Sequence, residues 1–189
     1  MKRIITTLLI VIMGLGKGLT QNPITHKTHT ALLIRLQTNS HLIEYYNKTG
    51  KLKEAELEKT KQVQKNREII KNFINEWTLT PVYFFYSNHS NEIKNGELKH
   101  LFKGLSQLKL TENEENALRE NYIVGFFGQT TRNLKFHALI LTNHKFQNIQ
   151  RPFPKYIRTY KGLWFLKRKT KRIIQILNKK LEFHYSRIQ

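Results

Sequence analysis

The chain has no cysteine among its 189 residues. That absence excludes a thiol nucleophile, a Cys-x-x-Cys redox pair, a thiolate zinc site and a lipid-modified cysteine anchor. Aspartate is missing as well, so all 13 acidic residues are glutamates. Metal-dependent nucleases and phosphatases gather several acids around paired ions. Here most glutamates fall in charged, helix-forming stretches, and no strand end offers such a cluster. Separation in space is invisible in a sequence, so a glutamate pair for glycoside hydrolysis stays open. Glycine and proline are scarce, at nine and four, which is not the composition of a disordered tail or a linker array. No apolar run reaches the ~20 residues that a membrane-spanning helix needs. There is no Gly-x-Ser-x-Gly elbow, no Gly-rich phosphate loop and no His-Glu-x-x-His motif, and no internal repeat.

What the chain has in excess is positive charge. Lysine and arginine number 33 against the 13 glutamates, for a net charge of +20. Such an imbalance attracts polyanions: nucleic acid, anionic lipid headgroups, acidic polysaccharide or an acidic protein. It does not choose among them, and a merely solvated basic surface is the competing reading. The hydrophobic fraction of 39% supports a real core. A chain of this length can bury about two-thirds of its unfolded surface without a metal or disulfide staple.

The N-terminus has the order of a secretory signal. Lys2 and Arg3 precede a mostly apolar run from Ile4 to Leu15, followed by the small residues Gly16 and Gly18. Cleavage after Gly16 or Gly18 places glycine at both −3 and −1; a cut before Gln21 is a third option. The reading is a signal peptide over 1–20, a polar lead-in over 21–29 and a single domain over 30–189. It implies an exported protein, periplasmic or extracellular, with no transmembrane span once mature. An uncleaved anchor or a buried first helix is the competing reading.

Hydrophobic periodicity places the elements of the domain. Thr30 to Thr38 reads as a central strand because it hardly alternates. Ser40 caps a short helix to Lys48, and Gly50 ends it. A long helix follows from Lys51 to Trp77, its first half charged and solvent-facing. Thr80-Pro81 breaks it, and Val82 to Ser87 is the second strand. Asn88 to Asn95 is loop-like, and Leu98, Leu101, Phe102 and Leu105 have helical spacing. Thr111-x-x-Glu114 resembles a capping box opening a helix to about Asn121. Tyr122 to Gly128 and Leu134 to Thr142 form a β-hairpin. Arg151-Pro152-Phe153-Pro154 is extended, a turn sits at Gly162, and a last helix runs from about Trp164 or Arg168 to Tyr185, with Ile173, Ile174, Ile176, Leu177 and Leu181 as its apolar stripe.

The predicted class is α/β, in the order β-α-α-β-α-α-β-β-α. Thioredoxin-like domains share that order with other α/β sandwiches. A thioredoxin-like chain without cysteine would have lost the redox chemistry and kept at most a scaffold or chaperone role. The signal, TPVYFFYS at Thr80–Ser87 and RPFPKYIRTYKG at Arg151–Gly162 together resemble a group of exported proteins from Bacteroidota-type bacteria. The resemblance spans most of the mature chain. It implies export and a single domain, and brings no activity or functional residues with it.

Chemistry-bearing residues are sparse. Two pairs, His41 with Glu44 and Glu97 with His100, have the spacing of three that carboxylate-bridged metal sites use. Without further ligands they read as surface pairs, so no metal, cofactor or catalytic residue is assigned. His137 reads as a strand-surface residue. The most suggestive surface is C-terminal: Lys155, Arg158, Lys161, Lys167, Arg168, Lys169, Lys171 and Arg172, interleaved with Tyr156 and Tyr160. Cations beside aromatics suit a phosphate-binding and stacking face, and equally an anionic membrane surface. Residues as large as Trp164 and Phe165 are usually buried, which would leave these cations on a solvated face. The reading is therefore a non-enzymatic binding or accessory module for an anionic partner, with the cysteine-less thioredoxin-like scaffold as alternative.

Overall fold

The computed structural model describes residues 30–118, 121–130, 135–149, 153–162 and 165–186. The expected signal and lead-in lie outside them, as do Arg151, Pro152 and Trp164. The described residues form an α/β domain around one mixed sheet. Its first strand, β1 (Ala31–Leu36), fails to alternate because both of its faces are covered: Ala31, Leu32, Leu33, Ile34 and Leu36 are all buried. Two strands flank it in parallel, β2 (Val82–Tyr86) and β5 (Tyr122–Gln129). Beyond β5 come β6 (His137–Thr142) and β7 (Tyr156–Arg158), each antiparallel to its neighbour. Beyond β2 lie two short antiparallel strands, β3 (Phe102–Lys103) and β4 (Leu108–Lys109). The sheet order is β4-β3-β2-β1-β5-β6-β7.

Among the described residues five helices accompany the sheet: α1 (Ser40–Lys48), α2 (Leu52–Glu76), α3 (Ser90–Lys94), α4 (Glu112–Leu118) and α5 (Thr170–Tyr185). α2 and α5 cover one face. There Leu32, Ile34, Leu36, Phe84, Leu139 and Leu141 meet Ile70, Phe73, Ile174 and Leu177. The other face carries Leu33, Phe85, Tyr122 and Val124 under Ile93 of α3, Leu98, Leu101 and Leu118 of α4. Successive strand residues thus feed two separate apolar layers, as the period of two requires. Gly125 faces the layer under α2 and α5, beside Ile34, Leu139 and Leu141. A Cβ there would come within 3.0 Å of the Ile34 Cδ1 atom.

Setting aside the three shortest strands, the order matches the expected β-α-α-β-α-α-β-β-α, but the middle differs. Leu98, Leu101, Phe102 and Leu105 form no helix. Gly96 and Gly104 adopt positive φ of 86° and 61°, which ends helical continuation on both sides. Phe102 instead pairs with Phe84 across the β2–β3 ladder and stacks against Phe84 and Tyr86. The segment expected as a loop holds a 3₁₀ turn (Ser87–His89) and α3. Ser40 is not the N-cap of α1. Asn39 takes that place at φ 51°, and its side chain donates to Glu58 and Gln62 of α2 at 2.7 and 2.9 Å. The capping box does form: Thr111 N–H donates to the Glu114 carboxylate at 2.9 Å, and Glu114 N–H reaches back to Thr111 Oγ1 at 3.4 Å.

Candidate anion-binding cleft

In open α/β sheets ligands settle outside the carboxyl ends of the parallel strands. Here those ends are Leu36, Tyr86 and Gln129, and the start of β6, His137, lies at the same edge opposite Gln129. A cleft of about 480 Å³ opens there. Gln37 after β1, Phe127 and Gly128 of β5, and His137 and Ala138 of β6 form its floor. α2 supplies Lys65, Glu68 and Ile69, and the far wall is Thr159, Lys161, Lys167, Arg168, Lys169 and the first turn of α5.

Local bonds hold each wall in place. On the α2 side a polar ladder runs from Asn39 to Gln62 to Asn66, with Gln62 Nε2 donating to Asn66 Oδ1 at 2.9 Å. Asn66 then donates to the Gln37 carbonyl at 2.8 Å, tying the helix to the end of β1. Gln62 and Asn66 are buried, and buried amides keep their place only when bonded. On the other side Thr159 anchors the loop after β7. Its N–H and its hydroxyl both donate to the His137 carbonyl at 3.0 Å. Arg168 N–H returns to the Thr159 carbonyl at 3.0 Å, and the Arg168 guanidinium lies over the Tyr160 ring. The loop bends through Tyr160 and Gly162, both at positive φ. The α5 N-cap, Lys169, makes no side-chain capping bond, so the first-turn N–H groups of the helix are directed outward at this edge.

The lining holds five cations and one carboxylate, Glu68. Their proximity perturbs protonation. Partial burial and then the Lys161 charge lower the Lys65 ammonium, against a smaller pull from Glu58. Burial, then Lys161, then Lys65 lower the His137 imidazole below its usual value. Like charges that depress one another are under-neutralised, and an anion between them relieves the repulsion.

The ten residues singled out in the sequence are dispersed by the fold. Lys161, Lys167, Arg168 and Lys169 line the cleft. Tyr156, Arg158 and Tyr160 line an adjoining depression that shares Arg168 and includes Lys180. Lys155 faces a third hollow, with Phe126, Thr142 and Phe146. Lys171 pairs with Glu76 at 2.9 Å, and Arg172 is exposed on α5. Phe165, expected in the core, is 67% exposed. The pairs His41–Glu44 and Glu97–His100 do not form: Glu44 takes Lys48 at 2.7 Å and Glu97 takes Lys99 at 3.0 Å. Three titratable cleft residues, Lys65, Glu68 and His137, were not on the sequence list. Lys65 lies just past the charged first half of α2, beside Gln62, Asn66 and Ile69. His137 is more than a strand-surface residue, because β6 starts at the carboxyl edge of the parallel strands.

Comparison with protein-family models, with curated proteins and with solved structures finds no match to this chain.

Proposed function

We propose that this protein is a non-enzymatic binding module, exported through its N-terminal signal, that seats an anionic group of a partner in the cleft. The observation that carries the reading is the lining itself: Lys65, Lys161, Lys167, Arg168 and Lys169 surround the cavity, with Glu68 as the one acid among the described lining residues. Phosphate, sulfate and carboxylate groups share the chemistry that such a ring recognises. Among the described residues no helix is long and apolar enough to cross a membrane, and contact with a membrane surface would be peripheral. The resemblance to exported Bacteroidota-type proteins accords with the location.

Retention on heparin tests the reading. The wild-type chain should elute late, with affinity falling steeply as salt rises. Replacing Lys65, Lys161 and Lys167 together by Gln should shift elution to lower salt and flatten the salt slope by roughly one per lost contact. A control carrying Lys53→Gln, Lys94→Gln and Lys179→Gln, all exposed outside the cleft, should shift less. Equal shifts for the two triples would show that bulk charge, not the cleft, does the binding. The N-terminal residue of the mature chain, read by mass spectrometry from the envelope or medium, tests export.

The alternative reading is a cysteine-less thioredoxin-like scaffold. It rests on the shared element order, and one observation weighs against it. β5 runs parallel to β1, whereas a thioredoxin-like sheet sets the hairpin strand beside β1 antiparallel to it.

A further inference from the structure

A different cluster forms where β2 ends. The chain leaves Tyr86 into the 3₁₀ turn and α3, and this turn is pinned to the segment after β1. Thr38 N–H donates to Ser87 Oγ at 3.1 Å, and the two hydroxyls lie 3.0 Å apart. Ser90 Oγ closes the turn onto the Ser87 carbonyl at 2.6 Å. His89 and Glu92 project from this frame one helical turn apart, with His89 Nδ1 3.6 Å from Glu92 Oε1. The third member, His100, comes from the turn before β3, held by its buried neighbours Leu98 and Leu101. Its ring stacks on His89 with centroids 3.7 Å apart and planes 9° from parallel. One ligand atom from each of the three residues lies within 4.8 Å of the others.

We propose that His89, Glu92 and His100 bind a divalent first-row transition ion, with Zn²⁺ as the reference case. Two imidazoles and one carboxylate are the donor set of open zinc and non-haem iron sites, where a fourth position is left to water. The His89 and Glu92 side chains are 28% and 36% exposed, so a solvent ligand has room. Among the described residues this carboxylate, unlike those of the surface pairs elsewhere, has no lysine beside it. Glu44, Glu76, Glu97 and Glu114 each meet a lysine, while Glu92 meets His89. The His89 Nδ1 atom is buried and makes no hydrogen bond, which leaves a lone nitrogen aimed at the carboxylate beyond hydrogen-bond reach. Its other nitrogen, Nε2, is 3.1 Å from the Asn88 amide. The atom in contact is Asn88 Nδ2, a donor, so the outer-shell acceptor that a ligating imidazole needs is supplied once the amide turns Oδ1 toward Nε2. With an ion on Nδ1, Nε2 carries the proton and donates to Asn88 Oδ1 after the amide turns. Stacked rings cannot both hold one ion in their planes, so binding rotates His100 away from parallel. Its place in a turn rather than a helix permits that rotation.

The experiment titrates the full-length chain with Zn²⁺ by calorimetry, and with Co²⁺ by visible absorption. The background carries His26→Ala and His29→Ala, which removes the N-terminal histidine pair. One equivalent of Zn²⁺ should bind, and the melting temperature should rise with it. His89→Ala, His100→Ala and Glu92→Gln should each weaken binding more than Asn88→Ala, which should cost about tenfold. His100→Cys supplies a replacement thiolate and should restore a Co²⁺ spectrum, now with a sulfur charge-transfer band, that His100→Ala lacks. Circular dichroism in chelator should be unchanged across the series, separating loss of ligand from loss of fold. If the background chain takes up no stoichiometric Zn²⁺, or if His89→Ala and His100→Ala bind it as well as the parent, the site does not exist.

Discussion

Asn178 of α5 donates through Nδ2 to the backbone carbonyl of Glu76, 2.6 Å away, where α2 ends. The last carbonyls of a helix have no partner within it, and this side chain supplies one across the helix pair. Two further residues on the same face of α5 hold the Glu76 side chain: Lys171 and Gln175, both at 2.9 Å. A carboxylate at a helix C-terminus and an ammonium in a first helical turn each oppose their own dipole. Placed together, each offsets the other's penalty. The α2–α5 pair, whose two helices supply residues to facing walls of the cleft, is therefore held by polar contacts at the end of α2 and by Phe73, Ile174 and Leu177 within.

Removing that junction contact should destabilise the domain. Asn178→Ala takes the donor from a part-buried carbonyl but also removes the buried, unbonded Asn178 Oδ1, so the net loss should be about 1 kcal/mol. Urea unfolding should show a lower midpoint with an unchanged slope, since the surface exposed on unfolding is the same. A midpoint equal to wild type would mean that water replaces the amide and that the bond is not holding the helices.

Acid should weaken the capping box before it reaches the core. Bonds from Lys103 and then from the Thr111 backbone hold the Glu114 carboxyl down, from its ordinary 4.5 to about 2. A depressed folded-state value means the unfolded chain binds the proton first. The stability from this group is whole above pH 4.5 and is lost as pH falls from there toward about 2. In Glu114→Gln the stability-versus-pH curve should be flatter across that window and lower at neutral pH. A curve parallel to wild type between those limits would rule out the coupling.

The elements that could be read from the sequence are those whose pattern is local. β1 was legible because ALLIRL is apolar but for Arg35 and hardly alternates, and the end of α2 because Thr80-Pro81 cannot continue a helix. The Thr111–Glu114 cap was legible because its two partners are three residues apart. The segment from 98 to 105 was misread because its apolar spacing fits a helix while Gly96 and Gly104 forbid one, and Phe102 finds a better partner in Phe84, 18 positions earlier. The cleft was half legible. Its loop cations cluster in sequence, but Lys65 and His137 join them only through the packing of α2 on β1 and the β5–β6 register, which no short window contains. The same holds for His100, whose spacing suggested Glu97 while the fold brings His89.

One charge in the sheet should be dispensable. Arg35 extends from β1 with its guanidinium 4.2 Å from the Phe126 ring centre and 5.9 Å from that of Phe146. Its Nε is buried without a hydrogen bond, and burial lowers its pKa. An unsatisfied buried donor costs about 1–3 kcal/mol, against a cation–π gain of about 0.5–2 kcal/mol. Arg35→Met keeps the apolar stem between the two rings and removes the orphan group. Its thermal midpoint should equal or exceed that of wild type. A loss of more than about 2 kcal/mol would show that the guanidinium contributes more than ring stacking.

His137 should report directly on the cleft. Burial depresses its imidazole first, and the Lys161 and Lys65 charges add to the effect. The folded state therefore gives up this proton more readily than the unfolded chain. As pH falls below the ordinary 6.5, the unfolded state takes up protons first, and stability declines until His137 itself titrates. Anything that cancels the lysine charges should reverse part of that shift. Lys161→Gln should raise the His137 titration midpoint, followed by the ring-proton resonance in NMR. Pyrophosphate in excess should raise it in wild type and should do so less in the Lys161→Gln chain, where one arm of the site is gone. If Lys161→Gln moves the midpoint and pyrophosphate does not, the electrostatic coupling is real but the anion rests elsewhere on the basic surface. If neither moves it, Lys161 does not approach His137 in solution and the cleft is not assembled as described.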